Sequence, residues 1–479
     1  MENWLNKRAQ LSPQKTAIVY QGQRFSFAQV AQKVHQQAQL LQGLNIKNQD
    51  RVAIFGTNSL ETYYNILALQ QLGAIIVFLN IRLAPKELAY QIENAQVKFC
   101  LVDSTLKDSA ISQVPKVHLI SRQQLKEVTP KPYKPVAVDL AQVASIMYTS
   151  GTTGQPKGVL QTWGNHWSSA INTLLNFEVT SQDAWLCTVP LFHISGFSIL
   201  LRSLIYGITL YLEPHFDAQK CQQLLVKEPI TIFSVVPTML KQLLEKHAQP
   251  YNSHFRIMFL GGGPIDLPTL KSCQKYQIPT IQSYGMTETC SNVAALKPED
   301  ALRKLGSAGQ ALFSNQLRIN PPNSVGEIQL QSPALAVGYW HNQELYQSKF
   351  TADGWYKTGD VGYLDAENFL FVKGRIDEMF ISGGENIFPL EIENVYSQLP
   401  SIQDFVVTHK QDALYGAVPI AYFTSSDRNL QRQVLQNFGR QHLAHYKVPV
   451  EFRQIQQFPR TASGKIQRTA LPTLKFKLL

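Results

Sequence analysis

The chain has 479 residues, 44% hydrophobic and 16% charged, with a formal net charge of +10 and five cysteines. That length accommodates two or more domains around a large core, and the composition is that of a soluble globular protein. Cys100, Cys187, Cys221, Cys273 and Cys290 stand singly with no C-x-x-C spacing, which argues against a disulfide framework or a zinc site and fits a reducing cytoplasm.

Taken in order, Met1 to Lys7 lacks the apolar stretch of a signal peptide. Ser26-Phe27-Ala28-Gln29 is a capping box, and Phe27, Val30, Val34, Ala38 and Leu41 follow at helical spacing until Gly43. Strand 51–55, helix 60–72, strand 74–78, helix 85–94 and strand 98–102 come next; such alternation predicts a mostly parallel sheet covered by helices, the α/β class. No internal repeat is visible. Pro130-Lys131-Pro132-Tyr133-Lys134-Pro135 is a stiff polar connector to a short strand, 144–147.

That strand runs into Tyr148-Thr149-Ser150-Gly151-Thr152-Thr153-Gly154-Gln155-Pro156-Lys157-Gly158. Its glycines allow tight turns that present N–H groups, Ser150, Thr152 and Thr153 add hydroxyl donors, and Lys157 adds a point charge, so the composition is that of a phosphate cradle. No Gly-Lys-Ser/Thr closes it, which sets it apart from the Walker loop. The apolar run 196–212 is expected to be a core element rather than a membrane span, because Arg202 interrupts it. Runs 230–235 and 255–260 read as buried strands ending in Val236-Pro237 and Gly261-Gly262-Gly263-Pro264, a second wall of a site at the carboxyl ends of parallel strands.

From about Val325 the pattern becomes antiparallel hairpins: 326–330, 362–364 and 369–372 around the turn Asp365-Ala366-Glu367-Asn368. A domain boundary is expected near Ile376, giving a large domain 1–375 and a small α+β domain 376–479 with a helix starting at Pro389. The basic residues form no long block, so polyanionic small molecules are expected partners rather than nucleic acid. The final Lys477-Leu478-Leu479 is not the peroxisomal tripeptide.

Six strings occur in order: YTSGTTGQPKG (148–158), GGGP (261–264), YGMTE (284–288), TGD (358–360), GRIDEMFISGGEN (374–386) and PRTASGK (459–465). Together they resemble the adenylate-forming superfamily of acyl- and aryl-CoA ligases, luciferases and peptide-synthetase adenylation domains, over nearly the whole chain. The resemblance implies helix-covered, mostly parallel sheets with a β-barrel-like portion and a small mobile C-terminal domain. It implies ATP, CoA and Mg²⁺ as cofactors and two half-reactions, acyl-adenylate formation and thioester formation.

The resemblance also assigns roles. Thr149, Ser150, Gly151, Thr152, Thr153, Gly154 and Lys157 would hold the β- and γ-phosphates, Thr287 the α-phosphate and Glu288 the Mg²⁺. Gly261, Gly262, Gly263, Pro264, Tyr284 and Gly285 would wall the adenine, and Asp360 and Arg375 would hold the ribose. Lys465 would be the catalytic cation, Asp377 the hinge, and Gly383 and Gly384 the lining of a pantetheine tunnel. Without the resemblance, Asp360 reads as a turn residue, Glu288 as a solvated loop acid and Lys465 as a solvated tail residue.

Segments 161–167 and 189–202 look closest to the o-succinylbenzoate–CoA ligases of menaquinone biosynthesis, which activate the aliphatic carboxylate and leave the ring carboxylate free. A buried free carboxylate needs a partner, and Arg202 is the candidate; its ordinary fate at a helix end would be to snorkel to solvent. The acid pocket would include His193, Ser195, Gly196, Ser283 and Met286. His193 has two readings, a core histidine bonded to backbone or a gate between acid pocket and tunnel. Other acids stay open, a monocarboxylic benzoate or a medium-chain fatty acid, as does a domain that loads a carrier protein or a binding module that has lost catalysis. A homodimer or higher oligomer also stays open.

Overall fold

The computed structural model describes residues 1–106, 108–114, 117–149, 155–427, 430–460 and 466–479. The predicted elements of the first hundred residues form where the pattern places them, because each has its own start signal. Ser26 caps Phe27–Gly43 in a full capping box with Gln29, Ser59 caps Leu60–Leu72, and Pro85 opens Pro85–Asn94. Strand starts shift inward by one or two residues, to Ile75–Phe78, Phe99–Val102, Ile232–Val235 and Ile257–Leu260.

Two large sheets form the frame. In the first, the order is Gly338–Tyr339, Lys157–Thr162, Val143–Thr149, Ile75–Phe78, Arg51–Phe55, Phe99–Val102, His118–Ser121. Its last five strands are parallel, whereas Val143–Thr149 and Lys157–Thr162 run antiparallel. The second sheet has nine strands, and its parallel centre includes Thr16–Tyr20, Ala184–Cys187, Thr209–Leu212, Ile232–Val235, Ile257–Leu260 and Thr280–Met286.

One continuous core fills the space between the sheets. It draws Val52, Ile76 and Ala144 from the first sheet, Ile18, Trp185 and Leu210 from the second, and Val34, Tyr63, Ile66, Phe197 and Leu201 from intervening helices. Leu60–Leu72 is apolar around most of its circumference because it is covered on all sides. The run 196–212 is two elements rather than one. Helix Ile194–Tyr206 ends at Gly207 in the left-handed region, and strand Thr209–Leu212 follows; both are almost wholly buried. Among the described residues no helix is long and apolar enough to cross a membrane.

Gln316–Asn320, Gly326–Gln331, Tyr356–Leu364 and Leu370–Arg375 make the antiparallel sheet that the hairpin pattern announces. After Arg375 come the hairpin Phe380–Ser382/Glu385–Ile387, helix Pro389–Tyr396, and a four-stranded sheet led by Ile402–Asp412 and Gly416–Ser425. This part has its own core, in which Tyr396 stacks on Phe405 beside Phe423, Leu435 and Phe452. The connector 130–135 is pinned rather than free: Tyr133 donates to Gln71 and stacks against His35.

Arg468 ties the end of the chain into this small core. Its guanidinium grips Glu393 through both carboxylate oxygens at 2.7 and 2.8 Å, donates to the Val407 carbonyl, and approaches Glu378 at 3.3 Å. Glu393 is buried, so removing its cation strands a carboxylate away from water. Arg468→Met should therefore cost about 2–3 kcal/mol of unfolding free energy, scaled down for the partial exposure of Arg468. Urea denaturation of the variant beside Arg468→Lys, which keeps the charge and should recover part of the loss, checks this.

Candidate functional site

The site forms where the loops of both large sheets meet the antiparallel sheet. At one end, Thr149 closes Val143–Thr149 and lies directly opposite Lys157, the first residue of Lys157–Thr162. The predicted phosphate-loop residues Ser150, Gly151, Thr152, Thr153 and Gly154 fall outside the described residues, as does Lys465. The other edge of Lys157–Thr162 pairs with Gly338–Tyr339, which brings Tyr339 to the loop. The Lys157 ammonium lies 5.7 Å over the Tyr339 ring, and the Tyr339 hydroxyl donates to Glu288 Oε1 at 2.9 Å.

Lys157 and Glu288 thus flank one aromatic ring. Burial first, then Lys349, lowers the Lys157 ammonium below its usual range, and Glu288 opposes them. The Tyr339 phenol is raised, chiefly by burial and then by Glu288, so it stays a donor. Thr287 and Glu288 sit in the 3₁₀ turn Thr287–Thr289 that follows Thr280–Met286. The second oxygen of Glu288 has no protein partner among the described residues, and none of them form a cluster of three metal-ligating side chains. A lone carboxylate suits Mg²⁺, which binds through one or two carboxylates while phosphates and waters complete its octahedron.

Next to this lies a carboxylate held from two sides. Asp360 accepts from the Tyr284 hydroxyl at 2.5 Å on one oxygen and from Arg375 Nη1 at 3.1 Å on the other. Arg375 also donates to Asp377. Burial pulls the Arg375 guanidinium down, but Asp377 and Asp360 reverse this and hold it above its ordinary value. Tyr284, placed by sequence beside the adenine, therefore spends its hydroxyl on the carboxylate expected at the ribose. Gly262, Gly263 and Pro264 stand one strand away, where the Ser283 hydroxyl donates to the Leu260 carbonyl. Gly285 is required by close approach: a Cβ there would collide with the Ser291 carbonyl of the adjoining strand.

The acid end is built on helix Ile194–Tyr206. His193 is its N-cap residue, its ring against Phe192, and Ser195 and Gly196 begin its first turn. Arg202, two turns on, does not snorkel: it is 2% exposed. Its Nη2 donates to Asn292 at 3.1 Å and approaches Ser169 at 3.4 Å, while its carbon lies 5.6 Å over the Trp185 ring. Asn292 lies on Ser291–Leu296 and is the strand partner of Gly285, so Arg202 is one strand removed from Tyr284 and Met286. Among the described residues Arg202 has no carboxylate partner, and its Nε and Asn292 Nδ2 are buried donors with no hydrogen-bond acceptor. Burial pulls its guanidinium down, against Tyr206, yet arginine stays charged.

In the small part, Gly383 and Gly384 take the left-handed region at the hairpin turn. A side chain at Gly384 would meet nothing within 4 Å, so its backbone faces open space.

Residues 5–340 match the AMP-binding enzyme family, and residues 391–465 match the AMP-binding enzyme C-terminal domain. The chain belongs to the AMP-binding enzyme family. It is similar to the 2-succinylbenzoate–CoA ligase of Listeria monocytogenes serovar 1/2a (45% identity, 98% of this chain and 99% of that one). It is also similar to o-succinylbenzoate CoA synthetase (MenE) from Bacillus subtilis in complex with the acyl-adenylate OSB-AMP. The TM-score is 0.94 at 37% identity, covering 100% of this chain and 99% of the other. The same enzyme in complex with ATP and magnesium gives a TM-score of 0.92 at 38% identity, covering 98% and 99%.

In this AMP-binding enzyme the sequence reading missed Tyr339, Ser145 and Asn292. Tyr339 follows only Gly338, with no local pattern; its place depends on a strand pairing across nearly two hundred residues. His166 is a further surprise: buried, its Nε2 lies 3.0 Å from the Ser145 hydroxyl, and burial, with Arg202 nearby, pushes its imidazolium pKa down to about 3. The unfolded chain protonates near 6.5, so below that pH it binds a proton that the folded chain refuses. The stability owed to neutral His166 is complete above pH 6.5 and declines toward pH 3, by at most about 1.4 kcal/mol per pH unit. Denaturation of wild type and His166→Gln at several pH values should show a difference that is constant above that point and shrinks on acidification.

Proposed function

We propose that this protein is an ATP-dependent acid–thiol ligase that converts 2-succinylbenzoate and CoA to 2-succinylbenzoyl-CoA, with AMP and pyrophosphate as the other products, in menaquinone biosynthesis. The observation that carries the substrate reading is Arg202, a buried guanidinium with no carboxylate of its own. An unpaired buried ion costs several kcal/mol, and a dicarboxylic acid supplies the missing partner when its ring carboxylate docks there. The full-length similarity to ligases named for this acid supports the same reading. A buried cation disfavours a plain fatty acid or benzoate.

The residues divide the work as follows. In the first half-reaction an oxygen of the aliphatic carboxylate attacks the α-phosphorus of ATP, the bond to the bridging oxygen breaks, and pyrophosphate leaves with the electron pair. Charge crowds at the phosphates, so fixed donors and cations lower the barrier. Lys157 and the loop 149–154 neutralise the β- and γ-phosphates, Thr287 donates at the α-phosphate, and Glu288 holds the Mg²⁺. When bound, Mg²⁺ supplies further positive charge to the phosphate oxygens. Asp360 accepts from the ribose hydroxyls, oriented by Arg375 and Tyr284, and Gly262, Gly263, Pro264 and Gly285 let the adenine approach backbone. His193, Ser195, Gly196, Ser283 and Met286 line the acid.

In the second half-reaction the CoA sulfur attacks the acyl carbonyl, AMP leaves with the electron pair, and the thiol proton is released. We assign 1–375 and 376–479 to two domains that re-orient about Asp377 between these steps, so that Lys465 serves the first and the Gly383-Gly384 turn admits pantetheine in the second. Five free, buried cysteines support a cytoplasmic setting.

Lys465→Ala should abolish pyrophosphate release while thioester formation from supplied acyl-adenylate survives; equal loss of both would give Lys465 a docking role instead. Arg202→Leu tests the substrate. It should raise the Michaelis constant for o-succinylbenzoate by a factor corresponding to about 2–5 kcal/mol and spare 4-oxo-4-phenylbutanoate, which lacks the ring carboxylate. Wild type should use o-succinylbenzoate well above benzoate and octanoate in pyrophosphate release and CoA consumption; a preference for octanoate would overturn the assignment.

A further inference from the structure

Behind the phosphate end lies a largely buried chain of polar groups that reaches half-buried Thr287. Ser145 and Gln161 face each other across the antiparallel pair Val143–Thr149 and Lys157–Thr162. The Ser145 hydroxyl donates to Gln161 Oε1 at 2.8 Å and meets His166 Nε2 at 3.0 Å; Gln161 Nε2 donates to the Thr287 carbonyl at 2.6 Å. Ser145 and Gln161 are fully buried and His166 nearly so.

Counting protons fixes every orientation. The Thr287 carbonyl can only accept, so the amide nitrogen of Gln161 must face it and Oε1 must face Ser145. Ser145 has one hydroxyl proton and gives it to Oε1; its oxygen must then accept from His166, which carries its proton on Nε2. A backbone carbonyl at one end thus dictates the tautomer of an imidazole at the other, and the amide cannot turn over without breaking three buried bonds. Gln161 lies four residues along the strand from Lys157, and Thr287 adjoins Glu288. This amide therefore connects the strand that opens with Lys157 to the turn that carries Glu288.

We propose that Gln161, oriented by Ser145 and His166, is a positioning residue that sets the separation of Lys157 and Glu288, and through it the placement of Mg²⁺ and the departing pyrophosphate. The inference rests on the reading of Glu288 as the metal carboxylate. The side chain of Gln161 is spent on Ser145 and the Thr287 carbonyl, and it acts through that carbonyl. Gln161→Glu keeps the shape but turns an acceptor toward that carbonyl, and Gln161→Met removes both bonds.

The test measures pyrophosphate release by the full chain against Mg²⁺ concentration, thioester formation from supplied acyl-adenylate and CoA, and thermal unfolding, for both variants, Ser145→Ala and Glu288→Gln. Both Gln161 variants should raise the Mg²⁺ needed for half-maximal adenylation and lower its rate, each by about 10–100-fold. Thioester formation should stay within about threefold of wild type, and Ser145→Ala should fall between. A lowered unfolding temperature with unchanged Mg²⁺ dependence, or equal loss of both half-reactions, would leave Gln161 a packing residue and overturn the proposal. Should Glu288→Gln keep the wild-type Mg²⁺ dependence, the metal assignment itself fails; should it lose that dependence while the Gln161 variants keep it, only the role of Gln161 falls. If neither Gln161 variant accumulates folded, Ser145→Ala decides by the same Mg²⁺ readout.

Discussion

Everything at the phosphate end depends on one strand, Lys157–Thr162, running against the direction of its sheet. Parallel neighbours would need a crossover of a dozen residues or more, but an antiparallel return closes in a few, and here Thr149 pairs directly with Lys157. The reversal has two edges to satisfy. Its inner edge pairs with Val143–Thr149 and places Lys157 opposite Thr149; its outer edge pairs with Gly338–Tyr339 and draws in a phenol from far along the chain. Because side chains alternate along a strand, a slip of one residue would turn Lys157 and Gln161 to the opposite face together. The register of a short hairpin is thus also the register of the charges.

Local order was legible in the sequence to the extent that local chemistry decides it. The helix at Phe27 begins where a serine and a glutamine can satisfy each other's backbone donors, and Pro389 opens a helix because its missing N–H costs nothing there. The six motif strings were readable as well. What each side chain touches was not. The string YGMTE marks Tyr284 as a site residue but does not tell that its hydroxyl lies on Asp360, because strand pairing sets its direction. Arg202 was weighed as a solvent-seeking helix end; burial on all sides of its helix denies it that exit. The run 196–212 looked like one apolar element because hydropathy does not register a left-handed glycine such as Gly207.

The two charged centres differ in how they are compensated. Asp360 sits between two donors, the Tyr284 hydroxyl on one oxygen and Arg375 on the other, which fix the direction of its remaining lone pairs. Arg202 is the reverse case, a charge desolvated in advance and met among the described residues by neutral groups: an amide oxygen, the hydroxyls of Ser169 and Tyr206 and an indole face. In its proposed role such a group discriminates by what it lacks: an incoming anion relieves a penalty already incurred in folding, whereas a neutral ring leaves it standing.

Arg375 has one guanidinium and divides it between Asp360 and Asp377. Whatever binds Asp360 alters how strongly that guanidinium is drawn the other way, and whatever turns the backbone at Asp377 alters the grip on Asp360. On the proposed re-orientation of residues 376–479 about Asp377, the two events draw on a common free energy, so by reciprocity a nucleotide that favours one orientation is itself held more tightly in that orientation, by the same factor. Nucleotide affinity measured on a chain locked in a single orientation would then report the coupling directly, as a ratio of two dissociation constants.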